Sequence, residues 1–175
     1  FGDIAESSPY LSNVQTLARN LEHINKNVLI RLPITHGDSG HSQIDWFNEN
    51  LPETAIDTGE QKFRQLLKQA KLVVIPHNGT TLIESIALGV PTVIFWDKSI
   101  VWMRPEAQAV FNALEQVGIF HRTPESAAAL INSIWDDVDG WWNSQPTLDA
   151  RKQFTDQFAR TVSNPVRFLA KALRF

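Results

Sequence analysis

Short, nearly continuous apolar runs alternate along this chain with longer stretches in which apolar residues recur every three or four positions. Three runs rich in β-branched residues stand out, at 28–32 (VLIRL), 72–75 (LVVI) and 92–96 (TVIFW). Their lack of inside/outside alternation is what strands covered on both faces require. A weaker run at 118–121 (GIFH) predicts a strand at the sheet edge. Between the runs, 11–24 places Leu11, Val14, Leu17, Ala18, Leu21 and Ile24 on one helical stripe, and 60–70 does the same with Phe63, Leu66, Leu67 and Ala70. Further helices are predicted at 81–88, 106–117 and 124–135, the last with Pro124 in the first turn, where a missing N–H costs nothing. After Trp135 the segment DDVDGWWNSQP holds turn formers without a strand pattern, and two more helices are expected at about 147–161 and 165–173. The alternation predicts an α/β fold: a Rossmann-like parallel sheet of about four strands with flanking helices and a helical C-terminal extension. The stretch 33–59, rich in His, Gly, Asp and Ser, is expected to be irregular, and so long a loop in a compact domain is commonly functional or disordered.

Composition narrows the class. At 175 residues and 43 % hydrophobic, the chain suits a single domain, residues 1–175, that buries roughly 70 % of the surface of its unfolded form. No repeat, low-complexity tract or Gly/Ser linker divides it. Having no cysteine, it has no disulfide scaffold, zinc ribbon or thiol nucleophile, which agrees with the expected cytoplasmic location. A net charge of −3 lacks the cationic excess that drives broad duplex binding, so no nucleic-acid partner is expected. No apolar run reaches the ~18 residues of a membrane span, leaving peripheral contact at the inner face of the membrane as the expected extent of any membrane association. The chain opens on Phe1 and FGDIAESSPY, which reads as a processed chain or an excised piece and not as a signal peptide.

In an open parallel sheet, ligands bind outside the carboxyl ends of the strands. The loop Pro76-His77-Asn78-Gly79-Thr80-Thr81 follows one such end and opens a helix. Glycine there permits close backbone approach, two hydroxyls sit at the helix start, and the first-turn N–H groups carry a partial positive charge of ~0.5 e. The loop is therefore a phosphate-sized anion site, with plain capping by Thr80 or Asn78 and packing of His77 as the alternative. Glu84, one turn into the helix on the face that Thr80 and Thr81 begin, is placed to meet a ribose, or else is a solvated surface carboxylate. Gly89 and Pro91 need no ligand, because a left-handed glycine closes a helix and proline stops its continuation. In the other loop, Arg31 at a strand end offers a fork for a phosphate or carboxylate, with a salt bridge to a nearby carboxylate as its competing role. His36 and His41 could donate to the same anion but read first as exposed loop histidines, and Asp97 after the IFW run could contact donor or acceptor unless it only caps a turn. The spacing of His36, Asp38, His41 and Asp45 matches no standard ligand set, so no metal site is expected. Trp102, Trp135, Trp141 and Trp142 are read as packing residues ahead of a sugar platform. Neither a nucleophile elbow, a Walker A loop nor G-x-G-x-x-G is present, and no catalytic residue can be assigned.

The continuation TTLIESIALGVPTVI, with its Ser/Thr-rich helix start, its Glu and its Gly-x-Pro exit, resembles the donor-site signature of GT-B glycosyltransferases. That resemblance implies phosphate binding at Gly79, Thr80 and Thr81 and ribose binding at Glu84. Over most of the chain, the order Ile30-Arg31-Leu32, Asp45-Trp46, Asp57, HNGTT, IFWD, the Glu106 helix, GIFH and IWDDVDGWWNS is similar to the C-terminal half of transferases from bacterial O-antigen and surface-polysaccharide clusters. Those are similar in turn to the β-Kdo transferases, which use CMP-activated Kdo. The run Leu32-Pro33-Ile34-Thr35-His36-Gly37-Asp38 departs from the aromatic-proline-His-Asp run common among them. The resemblance implies one half of a GT-B fold: a domain that binds a nucleotide-sugar substrate, needs no cofactor, acts on a glycan or lipid-linked glycan acceptor, and takes its catalytic groups from an N-terminal half outside this chain. It also implies that the isolated piece binds nucleotide without turnover. A sugar-nucleotide epimerase or polyol-phosphate transferase domain of the same architecture, and a non-enzymatic α/β interaction module, remain the competing functions.

Overall fold

The computed structural model describes residues 9–22, 28–32, 38–96, 103–160, 162 and 164–173. Helices and short parallel strands alternate through it: α1 (Pro9–Asn20), β1 (Leu29–Arg31), α2 (Asp38–Asn50), β2 (Ala55–Asp57), α3 (Phe63–Gln69), β3 (Val73–Ile75), α4 (Thr80–Ala87), β4 (Thr92–Phe95), α5 (Pro105–Gln116), β5 (Phe120–His121) and α6 (Pro124–Ile134). A 3-10 turn (Trp135–Asp137) then leads into α7 (Val138–Trp142), α8 (Gln145–Phe158) and α9 (Pro165–Ala172). The fold is Rossmann-like α/β, as the alternation predicts.

Among the described residues five strands are formed where about four are expected. They lie in two parallel ladders, β1-β2 and β3-β4-β5. The added strand β2 and the helix α2 both fall within 33–59, the stretch expected to be irregular. Their signals are weak for a physical reason. Of the side chains described on α2, only that of Phe47 is fully buried, at 1 % exposure, so the segment has little apolar stripe to show. With three residues, β2 is too short for any periodicity, and its pairing with β1 (Leu29↔Ala55, Ile30↔Ile56, Arg31↔Asp57) is long-range.

The central strand β4 accounts for the unbroken TVIFW run. Val93 and Phe95 face a cluster with Leu17 of α1 and Ala127, Ala128 and Ile131 of α6. Ile94 and Trp96 face the other way, into a core built from α4, α5 and α8. Covered on both sides, the strand has no solvent face on which to alternate. The second core is largely aromatic: Trp96 lies 4.7 Å from Phe120 and 5.6 Å from Phe111 between ring centroids, and Phe111 packs edge-on to Phe154 at 6.0 Å. The indoles of the C-terminal segment support this core, as the packing reading expects. Trp142 donates from Nε1 to the Gly89 carbonyl at 2.7 Å, and Trp141 donates to the Val117 carbonyl at 2.9 Å. Trp102 lies outside the described residues. Gly89 adopts φ +74° and closes α4 ahead of Pro91, as its sequence context predicts. Among the described residues no helix is long and apolar enough to cross a membrane.

Candidate functional site

Because β3, β4 and β5 run parallel, their carboxyl ends share one edge of the ladder, and the loop 76–79 leaves that edge to enter α4. Gly79 is the N-cap of α4, with φ −154° and ψ 178°, and no side chain caps the helix. Capping by Thr80 or Asn78 is therefore not what this loop does. The first turn also carries no acidic residue, so the positive end of α4 is not neutralised by its own sequence.

An extended backbone suits any residue, so the need for glycine at 79 is spatial. A Cβ there would stand 2.9 Å from Nδ1 and 3.0 Å from Cε1 of His77. The imidazole lies along the glycine backbone where a side chain would otherwise project. His77 is exposed as a residue, yet partial dehydration of its ring holds its pKa below the usual imidazole value. It is accordingly neutral at pH 7, with one nitrogen donating and the other accepting.

Thr81 follows directly. Its Oγ1 is buried and makes no hydrogen bond within the protein, an arrangement that costs about 1–3 kcal/mol where a partner is missing. Thr80 is exposed beside it. Glu84 is half-buried and lies three and four residues on, which places it on their side of the helix. The opposite side is committed to the core: Leu82 and Ile86 are buried, and buried Ser85 donates back to the Leu82 carbonyl at 3.1 Å. The six residues 77–81 and 84 thus surround one helix end that no side chain caps, with an imidazole, two hydroxyls and a carboxylate beside it.

Arg31 is held in a different environment. At the end of β1 its Nη1 donates to Asp57 Oδ2 at 2.5 Å and to the Gln61 carbonyl at 2.8 Å. Asp57 is 2 % exposed, and its second oxygen accepts from the Gln61 N–H at 3.2 Å. The salt bridge weighed for Arg31 is present, and its partner is the residue directly across the parallel ladder. The adjoining turn is also internally satisfied. Gly59 sits at φ 112°, and the Glu60 carboxylate accepts from the Thr58 N–H at 2.9 Å and from its hydroxyl at 2.5 Å. Those bonds, led by the Thr58 hydroxyl, pull the Glu60 pKa down to about 2. Among the described residues, the polar partners of Arg31 are Asp57 and Gln61, not the loop 76–81.

His36 and Asp97 lie outside the described residues, as does the side chain of His41. One ordered polar group escaped the sequence reading. His121, at the carboxyl end of β5, donates from Nε2 to the Gly118 carbonyl at 2.9 Å and meets Ser126 Oγ through Nδ1 at 3.1 Å. Burial holds its pKa low, against the opposing pull of the Gly118 carbonyl and Glu115. The GIFH run marks His121 as a strand end, but nothing in the sequence reveals the folding back that buries it. A separate cleft of about 540 Å³ lies between the end of α1 and α6, lined by Asn20, Glu22, Glu125, Ala129, Asn132 and Ser133. None of these residues belongs to the loop 76–81.

No curated protein and no solved structure matches the chain significantly. A family model does: the one described as LIC12162 family transferase matches residues 6–173, nearly the whole sequence, and the chain therefore belongs to the LIC12162 transferase family.

Proposed function

We propose that this transferase-family domain binds the nucleotide-sugar donor of a GT-B-like glycosyltransferase, and that the β3–α4 loop holds the donor phosphate. One observation carries the proposal: an uncapped helix N-terminus whose adjacent Thr81 hydroxyl is buried and without a protein partner. A phosphate oxygen seated there would accept from the first-turn N–H groups and from that hydroxyl together. His77 would donate to the same group, and Glu84 would accept from a ribose hydroxyl one turn away. Gly79 keeps the backbone approachable.

In the proposed reaction the bond between the anomeric carbon and the phosphate oxygen breaks. Its electron pair stays with the nucleotide phosphate, and an acceptor hydroxyl oxygen takes its place on carbon. The domain lowers the barrier by stabilising the departing charge with prearranged dipoles. The proton of the acceptor hydroxyl leaves to a base supplied from an N-terminal half. The donor is proposed to be CMP-activated, of the CMP-Kdo class, and the acceptor a glycan or lipid-linked glycan of the bacterial surface, built at the cytoplasmic side. The support for these finer assignments is the resemblance of the HNGTT to GVP segment and of the WWNS tail.

Calorimetric or NMR titration of the chain with CMP, UDP and GDP tests the reading. CMP is expected to bind most tightly, and Thr80→Ala/Thr81→Ala to weaken that binding about tenfold. A UDP preference would assign the domain to the epimerase class instead. No response to any of the three would leave an interaction module as the better account.

A further inference from the structure

Helix α9 carries a surface that donor binding does not use. Every side chain described on it is exposed. Val166, Leu169 and Leu173 are 78 %, 56 % and 71 % exposed, and their spacing of three and four puts them on one stripe that continues into the C-cap. Arg167 and Lys171 fall on the other side of the helix. The helix is formed locally: Asn164 caps it by accepting from the Arg167 N–H at 2.9 Å, and the Arg160 guanidinium lies 5.6 Å from the centre of the Phe168 ring. Between Arg160 and Phe175 the sequence contains Arg160, Arg167, Lys171 and Arg174 and no Asp or Glu, in a chain whose net charge is −3. Positive charge is thus concentrated around a helix whose apolar stripe is bare.

That charge pattern selects among occupants. A second copy of α9 packed stripe to stripe would bury only Val166, Leu169 and Leu173 on each side, too few residues for a stable pair, and would leave the cations unanswered. An anionic lipid surface complements both sides at once, accepting the apolar stripe at the acyl boundary and the cations at the headgroups. We propose that α9 docks this protein reversibly on anionic membrane, with Val166, Leu169 and Leu173 inserted and Arg160, Arg167 and Lys171 against the headgroup phosphates. The inference does not depend on the donor site.

Co-sedimentation of the chain with phosphatidylcholine vesicles, with and without phosphatidylglycerol, tests it. Binding is expected only with the anionic lipid and is expected to weaken as salt rises. Leu169→Asp/Leu173→Asp should lower partitioning at least tenfold, roughly what loss of two buried apolar side chains implies. Arg167→Glu/Lys171→Glu should do the same, since each cation near an anionic surface is worth roughly fivefold. Both variants change exposed positions and should keep the parent thermal unfolding curve, which separates lost docking from lost fold. Equal binding to neutral vesicles, no binding to anionic ones, or undiminished binding by the double Asp variant would overturn the proposal. So would a lipid-free dimer, seen by analytical ultracentrifugation, that Leu169→Asp dissolves.

Discussion

The carboxyl ends of β1 and β3 present two polar loops of opposite character. At β1 and β2 the charges answer one another: Arg31 reaches a buried Asp57, and Glu60 is bound by Thr58 in the next turn. At β3 no side chain caps the helix end, and among the described residues the buried Thr81 hydroxyl is unpaired. The difference separates a polar cluster that holds a fold together from one that has bonding capacity for something else. By residue type alone the two loops look equally functional, and the arginine looks the stronger anion ligand. Only the partners distinguish them.

Removing Arg31 tests that contrast most severely. Arg31→Ala leaves a buried carboxylate without its cation and should cost about 2 kcal/mol, less than breaking a fully buried pair because the arginine side is one-third exposed. Urea unfolding measures this. A loss below ~0.5 kcal/mol would mean that Arg31 does not support the fold and is available to a ligand.

The double change Thr80→Ala/Thr81→Ala should do the reverse. Having no bond to lose at Thr81 Oγ1, it should leave stability undiminished while weakening nucleotide binding about tenfold, or ~1.4 kcal/mol. A large destabilisation with unchanged binding would return this loop to an architectural role.

Gly79→Ala sharpens the comparison further. The new methyl meets the His77 ring, which must rotate away, at a cost near 1 kcal/mol in stability. Its NMR-detected titration should then move up towards the ordinary imidazole value. An unmoved His77 titration would show that the ring does not lie where the backbone of Gly79 leaves room for it.

The smallest effect expected is in the pH dependence. His77 and His121 both have folded pKa values below their unfolded ones, so the unfolded chain binds more protons as pH falls below about 6.5. Stability should therefore decline with acidification through that range, and His121→Gln should flatten the slope. Glu60, with its folded value near 2, contributes stability that is present above its ordinary value of 4.5 and is lost as pH falls towards 2. If the β3–α4 loop binds phosphate, saturating nucleotide should raise the His77 pKa and leave that of His121 unchanged.

How much of this was legible beforehand differs from element to element. The runs at 72–75 and 92–96 and the helix at 124–134 were readable because two-sided burial and amphipathic packing write themselves into local composition. The stretch 33–59 was not, since α2 shows one fully buried side chain among those described and β2 exists through its register with β1. Glu60, read as helical, belongs to the turn before α3, where its side chain binds the Thr58 backbone in place of continuing a helix. At the site, the sequence named the loop, the glycine and both threonines. It did not say that the glycine serves to accommodate an imidazole, or which of the two hydroxyls is buried.

By itself the sequence determined the order of strands and helices outside 33–59, the closing roles of Gly89 and Pro91, and membership in a transferase family. These follow from local rules of periodicity, backbone conformation and motif spacing, which act within a few residues of one another. Only the tertiary structure decided that Arg31 is tied to Asp57, that Thr81 is left without a partner, and that the apolar stripe of α9 stays uncovered. Each of those depends on which distant groups arrive within bonding distance, and a hydrogen bond or an ion pair is set by angstroms in space, not by separation along the chain.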